Sequence, residues 1–238
     1  KPTGSMFYTA YTFDGTKPGT KRPITFFYNG GPGSPTFWLH MGSFAPVRLR
    51  TGDPVFMRPA PFDFGPNPDT LLDKTDMVFL DAMGAGYSRA LGETKPSHFY
   101  GVDEDVDAFA RAIIRYVTKN GRWNSPKFIF GESYGTTRSA AVIHELEGSY
   151  TDVAVNGIIL ISSIMDFSQA ADAPGNELGY VTNLPSMAAT AWYHDKVPNK
   201  PATVEEFVAQ ARAWAIGPYA SALLKGNNLS AEERAQIL

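Results

Sequence analysis

Short apolar runs recur along the first two thirds of the chain, and polar or turn-forming residues separate them. Met6 to Phe13 and Ile24 to Tyr28 are rich in aromatic and β-branched residues. The turn-forming stretch Asp14 to Pro23 lies between them, so we expect two strands joined by a loop. Three further runs are short and bounded by polar residues or glycine, which is typical of strands covered on both faces. They are Asp76 to Asp81, Lys127 to Phe130 and Val155 to Ser162.

A helical pattern lies between the Asp76 to Asp81 run and the Lys127 to Phe130 run. Its apolar residues recur at the spacing of one helix face behind an acidic start, where negative charge favours a helix N-terminus. The apolar residues are Val106, Phe109, Ala110, Ile113 and Val117, and the acidic ones are Asp103, Glu104 and Asp105. Strands that alternate with helices imply right-handed crossovers and a mostly parallel sheet covered by helices. The sequence therefore predicts an α/β fold.

The pattern changes after about Leu184, where tryptophan, alanine and helix-capping signals replace the strand-like runs. Thr203 with Glu206, and Ser230 with Glu233, each match the capping box, so helices are expected to begin there. We therefore predict a sheet-containing region over residues 1–183 and a helical region over 184–238. The last helix has barely two turns before Leu238. We expect the polypeptide to continue, the alternative being a frayed terminal helix.

Composition excludes several classes of function. The chain has 238 residues, of which 43% are hydrophobic and 19% charged, as in folded globular proteins. Its net charge of −3 comes without any basic run, which argues against a nucleic-acid partner. It contains no cysteine, and so no thiol nucleophile or thiolate metal site. No apolar run approaches the roughly 20 residues of a membrane-spanning helix, and none is predicted.

The stretch Gly131-Glu132-Ser133-Tyr134-Gly135 matches the nucleophile elbow Gly-x-Ser-x-Gly. The match is informative only if a strand precedes it and a helix follows. Lys127 to Phe130 is the expected strand, and Thr136 to Glu147 the expected helix. Ser133 is therefore the candidate nucleophile, and an ordinary tight turn is the alternative.

A glycine-rich turn, Asn29-Gly30-Gly31-Pro32-Gly33, follows the predicted strand Ile24 to Tyr28. In an α/β-hydrolase one oxyanion donor is the amide after the nucleophile, and the other comes from a loop after an earlier strand. Tyr134 and Gly31 fit these two roles. A plain β-turn is the alternative; a phosphate-binding loop would need a Gly-Lys-Ser/Thr ending, which is absent.

Three ordered motifs carry a family resemblance. Asn-Gly-Gly-Pro-Gly at 29–33, Val-Phe-Leu-Asp-Ala-Met-Gly-Ala-Gly-Tyr-Ser at 78–88 and Gly-Glu-Ser-Tyr-Gly at 131–135 resemble the serine carboxypeptidase family. The sequences at 122–128 and 184–194 are similar to those of its bacterial branch. The resemblance runs from about Ser5 to His194. It implies an α/β-hydrolase core with a helical cap insertion, secretion or a periplasmic location, and removal of C-terminal residues from peptides, often in acid.

The resemblance also assigns site residues. Ser133 would be the nucleophile, the Gly31 and Tyr134 amides the oxyanion hole, and Asn29 and Glu132 the pair that binds the free C-terminal carboxylate of a peptide substrate. Two neighbouring carboxylates share a hydrogen bond only if one is protonated, which would explain an acid preference. The sequence departs from the family at Ser43, where a second glutamate is usual, and at Ser34, where a cysteine is usual.

The base and acid of a triad are harder to place. His40 and His98 precede Ser133, His144 lies about 16 Å along the elbow helix, and His194 lies at the start of the predicted cap. Asp166 follows the Val155 to Ser162 strand, where a minority of hydrolases keep the acid. We expect the triad Asp and His on late strands, in a C-terminal segment or a second polypeptide that stays associated.

Three hypotheses remain open. The first is a serine-type carboxypeptidase, the second an ester hydrolase or acyltransferase of the same fold, and the third a catalytically silent binding module. A serine triad needs no cofactor, and none is predicted.

Overall fold

The computed structural model describes residues 1–16, 21–51, 60–148, 152–169 and 175–237. These residues form two compact units, Lys1–Met165 and Asp166–Leu238. The predicted loop Asp14 to Pro23 falls partly outside the described residues. The strands are β1 (Gly4–Ser5), β2 (Tyr8–Tyr11), β3 (Ile24–Tyr28), β4 (Val47–Leu49), β5 (Phe64–Pro66), β6 (Asp76–Leu80), β7 (Arg89–Ala90), β8 (Lys127–Glu132) and β9 (Gly157–Ile161). The helices are α1 (Val102–Lys119), α2 (Tyr134–Gly148), α3 (Glu177–Tyr193), α4 (Val204–Trp214), α5 (Ala220–Lys225) and α6 (Ala231–Ile237).

The first unit is built on a five-stranded sheet with the order β2-β6-β3-β8-β9. Strands β6, β3, β8 and β9 are parallel, and β2 pairs antiparallel with β6 at one edge. This confirms the predicted α/β class with a mostly parallel sheet. Two small antiparallel pairs, β1 with β7 and β4 with β5, were not predicted, because strands of two or three residues are too short to show an alternating pattern.

Apolar residues cover both faces of the central strands. On one face, α1 and α2 pack over a cluster that contains Phe26, Val78, Phe109, Ile113, Ile129 and Leu146. On the other face, the Phe27 ring stacks between those of Phe79 and Phe130, with centroid distances of 4.7 and 4.9 Å. Burial of one such ring stabilises the fold by about 2 kcal/mol. The helical pattern predicted from Val106 to Val117 is confirmed as α1.

Strand β9 confirms one prediction and contradicts another. The Val155 to Ser162 run does form a strand, Gly157–Ile161, but it is not covered on both faces. Ile158, Ile159 and Ile161 expose 49%, 41% and 37% of their surface. Among the described residues β9 pairs only with β8 and forms the sheet edge. An apolar run indicates a strand surface that is suited to burial, but it does not specify which residues cover that surface.

A buried ionic junction closes the amino end of the sheet. The Asp76 carboxylate, at the start of β6, accepts hydrogen bonds from Arg22 Nε at 2.7 Å and Arg122 Nη1 at 2.6 Å. Arg122 Nη2 also donates to the carbonyl of Arg22 at 2.9 Å. Charged groups buried this deeply are tolerated because each has a partner. The junction holds the start of β6 against the segments that precede β3 and β8.

The second unit contains helices α3 to α6. The Thr203 hydroxyl accepts a hydrogen bond from the Glu206 amide at 3.3 Å, and α4 begins directly after it. Ser230 and Glu233 form the reciprocal capping box at 3.0 and 3.1 Å at the start of α6. Helix α3 begins at Glu177, so it spans the position near residue 184 where the sequence pattern changes. In the part of the chain that the structure describes, no helix is both long and apolar enough to cross a membrane.

Candidate active site

Ser133 lies at a sharp turn between strand β8 and helix α2. Its φ of +56° places a residue with a side chain in the left-handed region, which is uncommon outside strained functional turns. The Ser133 amide donates to the carbonyl of Ile161 at 2.9 Å, and its carbonyl accepts from the Thr136 amide at 2.9 Å. The backbone of Ser133 is therefore fixed by β9 on one side and by the first turn of α2 on the other.

Glycine at position 131 lets the strand and the helix approach each other. A Cβ atom there would lie 2.3 Å from the carbonyl oxygen of Gly135 and 2.5 Å from Ser139 Oγ. Both distances are too short for any side chain, and one of the obstructing atoms belongs to the backbone. The strand-turn-helix context required of a nucleophile elbow is thus present around Ser133.

The glycine-rich turn after β3 packs directly on this elbow. A Cβ atom on Gly30 would lie 2.4 Å from the Tyr134 amide nitrogen and 2.8 Å from the Glu132 carbonyl oxygen. The next residue, Gly31, has a φ of +107°, which only glycine adopts readily. The structure therefore brings the turn that contains Gly31 against the amide of Tyr134, and these two amides remain the candidate oxyanion donors.

Asn29 and Glu132, the candidate pair for a substrate carboxylate, contact each other. Asn29 Nδ2 donates to Glu132 Oε2 at 2.8 Å, and Asn29 Oδ1 accepts from the Leu39 amide at 3.2 Å. Asn29 is buried, while Glu132 and Ser133 are half-buried. Ser43, where the family usually has a glutamate, donates instead to the Trp38 carbonyl at 3.0 Å. Glu132 directly precedes the nucleophile in the chain, and its hydrogen bond to Asn29 connects the end of β3 to the elbow.

The second family-like motif, residues 78–88, forms the end of β6 and a turn that supports the glycine-rich loop. The Asp81 carboxylate accepts from the Thr36 amide at 2.9 Å and from the Tyr87 amide at 3.3 Å. It therefore ties the chain after the Gly30–Gly33 turn to the turn after β6. This gives the motif a structural role at the carboxyl edge of the sheet, where open α/β sheets bind ligands.

A buried ion pair behind the glycine-rich turn was missed by the sequence analysis. Arg138 of α2 and Asp105 of α1 are joined by a 2.6 Å contact between Nε and Oδ2. Arg138 also donates to the carbonyls of Asn29 at 2.8 Å and Pro32 at 2.9 Å. The sequence does contain an indication that Arg138 is buried, since it lies on the same face of α2 as the buried Val142 and Leu146. A charged residue in an apolar row indicates a buried partner.

The three histidines in the same unit as Ser133 lie in different environments. His40 Nε2 lies 2.8 Å from Tyr11 Oη, and its ring lies 4.6 Å from that of Phe79. His98 lines a cavity of about 770 Å³ beside α1, which none of the candidate site residues lines. His144 is exposed on α2. None of these three described histidines hydrogen-bonds to Ser133, and no three or more His, Asp or Glu among the described residues could hold a metal ion.

The environment of His40 predicts a loss of stability in acid. Burial lowers the pKa of His40, and the charge of Asp81 opposes this shift. The unfolded chain then binds the proton more readily than the folded one. Neutral His40 therefore stabilises the fold above about pH 6.5, and this contribution falls as the pH drops toward the lowered value. In urea unfolding of the native protein, the free-energy advantage of wild type over His40→Phe should shrink from pH 7 to 5. A pH-independent difference would contradict this assignment.

Comparisons with known proteins support the fold. No protein-family model matches the chain, and no curated protein matches it. Among solved structures, the prohormone-processing carboxypeptidase Kex1Δp from Saccharomyces cerevisiae superposes with a TM-score of 0.55 at 14% identity. The match covers 88% of this chain and 48% of the carboxypeptidase. Two variants of a Pseudomonas aeruginosa protein named as an epoxide hydrolase match at 13% identity, with TM-scores of 0.42 and 0.43, covering 96% of this chain and 72% of theirs.

The carboxypeptidase match bears on the fold alone, since the identity is low. The chain spans about half the length of that structure, and its sheet, elbow and glycine-rich turn occur in the order typical of α/β-hydrolases. We conclude that the chain has an α/β-hydrolase fold with a mostly parallel sheet.

Proposed function

We propose that this protein is a serine hydrolase that forms an acyl-enzyme on Ser133. The observation that supports this best is the left-handed backbone of Ser133 at the junction of β8 and α2, because that turn projects the hydroxyl at the carboxyl edge of the sheet. The Ser133 oxygen would attack a substrate carbonyl while a base removes its proton, and the leaving amine or alcohol would take up that proton as its bond to the carbonyl carbon breaks. The Gly31 and Tyr134 amides would donate to the oxyanion, and water would then hydrolyse the ester.

We further propose that the substrate is a peptide with a free C-terminal carboxylate. The Asn29 amide group and the Glu132 carboxyl group are hydrogen-bonded to each other, and Glu132 directly precedes the nucleophile in the chain. An amide N–H and a protonated carboxyl group can both donate to a carboxylate. A carboxylate held there would place the last peptide bond at Ser133, so the enzyme would act as a carboxypeptidase.

The base and the acid would come from a further C-terminal segment or from a second, associated polypeptide. Strand β9 supports this proposal, because its isoleucines are exposed and its outer edge pairs with no strand among the described residues. The carboxyl end of β9 lies at Ser133, through the bond from the Ser133 amide to the Ile161 carbonyl. A parallel strand added at this edge would bring the loop after it to the nucleophile, where hydrolases carry their Asp and His.

The carboxypeptidase proposal predicts a strong preference for free C-termini. The native protein, with any polypeptide that co-purifies, should cleave a peptide at a kcat/KM about a hundredfold above that of its C-terminal amide. Hydrolysis of both peptides is followed by mass spectrometry across pH. The KM of wild type for the free peptide should rise with pH, because Glu132 and the substrate carboxylate share a hydrogen bond only with a proton between them.

A matched pair of variants separates this effect from general pH effects. Glu132→Gln should flatten the rise in KM, since its amide donates to a carboxylate at any pH. Glu147→Gln, at an exposed position on α2, should keep the wild-type profile. Equal turnover of free and amidated peptides would contradict the carboxypeptidase proposal and favour an ester hydrolase or acyltransferase. No turnover of peptides or esters and no covalent labelling of Ser133 would favour a silent binding module.

A further inference from the structure

The guanidinium of Arg138 is fully buried and lies between the two elements that carry the candidate oxyanion donors. Its side chain has no exposed surface, and that of Asp105 exposes 9%. Nε and Nη2 of Arg138 donate to the two oxygens of Asp105 at 2.6 and 3.3 Å. This bidentate arrangement fixes the plane of the guanidinium as well as its position.

The remaining donors of Arg138 form hydrogen bonds with the glycine-rich turn on both sides of Gly30 and Gly31. Nη1 donates to the Asn29 carbonyl at 2.8 Å, and Nη2 donates to the Pro32 carbonyl at 2.9 Å. These two carbonyls flank Gly30 and Gly31 in the chain. Because both ends of the turn are bound to one rigid group, the direction of the intervening Gly31 amide is restricted.

The same guanidinium contacts the residue that carries the second donor. Its central carbon lies 5.2 Å from the centre of the Tyr134 ring and 4.4 Å from that of Phe109. Both distances lie in the range of cation–π attraction. Arg138 therefore bonds to the turn that contains Gly31 and packs on Tyr134. One side chain thus restrains the position of the two candidate donors relative to each other.

We infer that Arg138, oriented by Asp105, is a positioning residue for the oxyanion hole. This inference rests on the proposed function of Ser133. Stability alone is a poor explanation of the pair, because replacing a buried ion pair with apolar residues is often neutral or stabilising. Lysine cannot replace this arginine, since one ammonium group cannot meet two carboxylate oxygens and two separated carbonyls in a single plane.

The test is the rate at which a fluorophosphonate labels Ser133 in the native protein, with KI and kinact measured separately. The phosphoryl oxygen occupies the oxyanion site as the label reacts, so a misplaced donor lowers kinact. Loss of a whole donor costs a hundredfold or more, so loosening one should cost about tenfold. Arg138→Lys is expected to lower kinact by about that factor while KI and the final labelling stoichiometry stay at wild-type values.

Arg122→Lys is the matched control, because Arg122 also joins a buried carboxylate to a backbone carbonyl, but at the amino end of the sheet. It should unfold at a lower temperature and keep the wild-type kinact. If Arg138→Lys does not fold, Asp105→Asn, which retains the bonds from Arg138 to both carbonyls, should show a smaller fall in kinact. Equal effects of the substitutions at 138 and 122, or wild-type kinact in Asp105→Asn, would overturn the inference. An unlabelled wild-type protein would overturn the proposed function, and this inference with it.

Discussion

Replacement of Ser133 by alanine should lower hydrolysis by about four to six orders of magnitude in kcat, which is the scale seen when a serine nucleophile is removed. The cause is specific to one atom, because alanine keeps the Cβ and both backbone hydrogen bonds that fix the turn. The measurement is peptide turnover together with intact-mass detection of fluorophosphonate labelling under denaturing conditions. The label should appear on this chain and should disappear in the variant.

Ser97→Ala is the control for this experiment, since Ser97 is exposed and lies on the short helix Pro96–Phe99, which contains none of the candidate site residues. Its labelling and turnover should equal those of wild type. Intact-mass detection also shows whether a second polypeptide accompanies the labelled chain. If Ser133→Ala were labelled or turned over substrate at the wild-type rate, Ser133 would not be the nucleophile.

The second large effect is expected at Gly30. In Gly30→Ala the new methyl group would meet the Tyr134 amide nitrogen at 2.4 Å, so the turn must move away from the elbow. The distance between the two candidate oxyanion donors would then change, and we expect kcat to fall by about a hundredfold or more. Peptide turnover and the melting temperature should both be measured, because the clash also destabilises the folded state.

Gly33→Ala tests the same turn without a clash. A methyl group on Gly33 would meet no atom within 4 Å, so the variant should keep its activity, and its melting temperature should not fall. Both substitutions reduce the backbone freedom of the unfolded chain by the same amount. The difference between Gly30→Ala and Gly33→Ala therefore measures the effect of packing alone. Wild-type turnover in Gly30→Ala would contradict the close approach of the glycine-rich turn to Tyr134.

The elements that sequence analysis predicted best are those defined by neighbours in the chain. Helix α1 follows from its apolar spacing, and the elbow follows from a strand-like run, a glycine-flanked serine and a helix-like run. The glycine-rich turn at 29–33 was predicted to follow the Ile24 to Tyr28 strand, but the 2.4 Å approach of Gly30 to Tyr134 could not be derived from spacing. Local patterns determine the type of an element, whereas contact distances depend on the assembled sheet.

The features that were missed or wrong depend on residues far apart in the chain. Arg138 and Asp105 are 33 positions apart, and nothing in either helix pattern specifies that they meet behind the glycine-rich turn. The covered faces expected for β9 were wrong, because burial depends on partner surfaces that an apolar run does not describe. The β4–β5 pair was missed because its strands have only three residues each and no two-residue turn joins them.

The buried junction of Asp76 with Arg22 and Arg122 separates two tasks within one sheet. It fixes the strands at their amino ends, while the groups proposed to contact substrate lie on turns at the carboxyl ends. Substitutions in those turns leave the junction and its hydrogen bonds untouched. Such a scaffold can accept new substrate-contacting residues without losing its anchor, which makes the carboxyl edge the region open to evolutionary change.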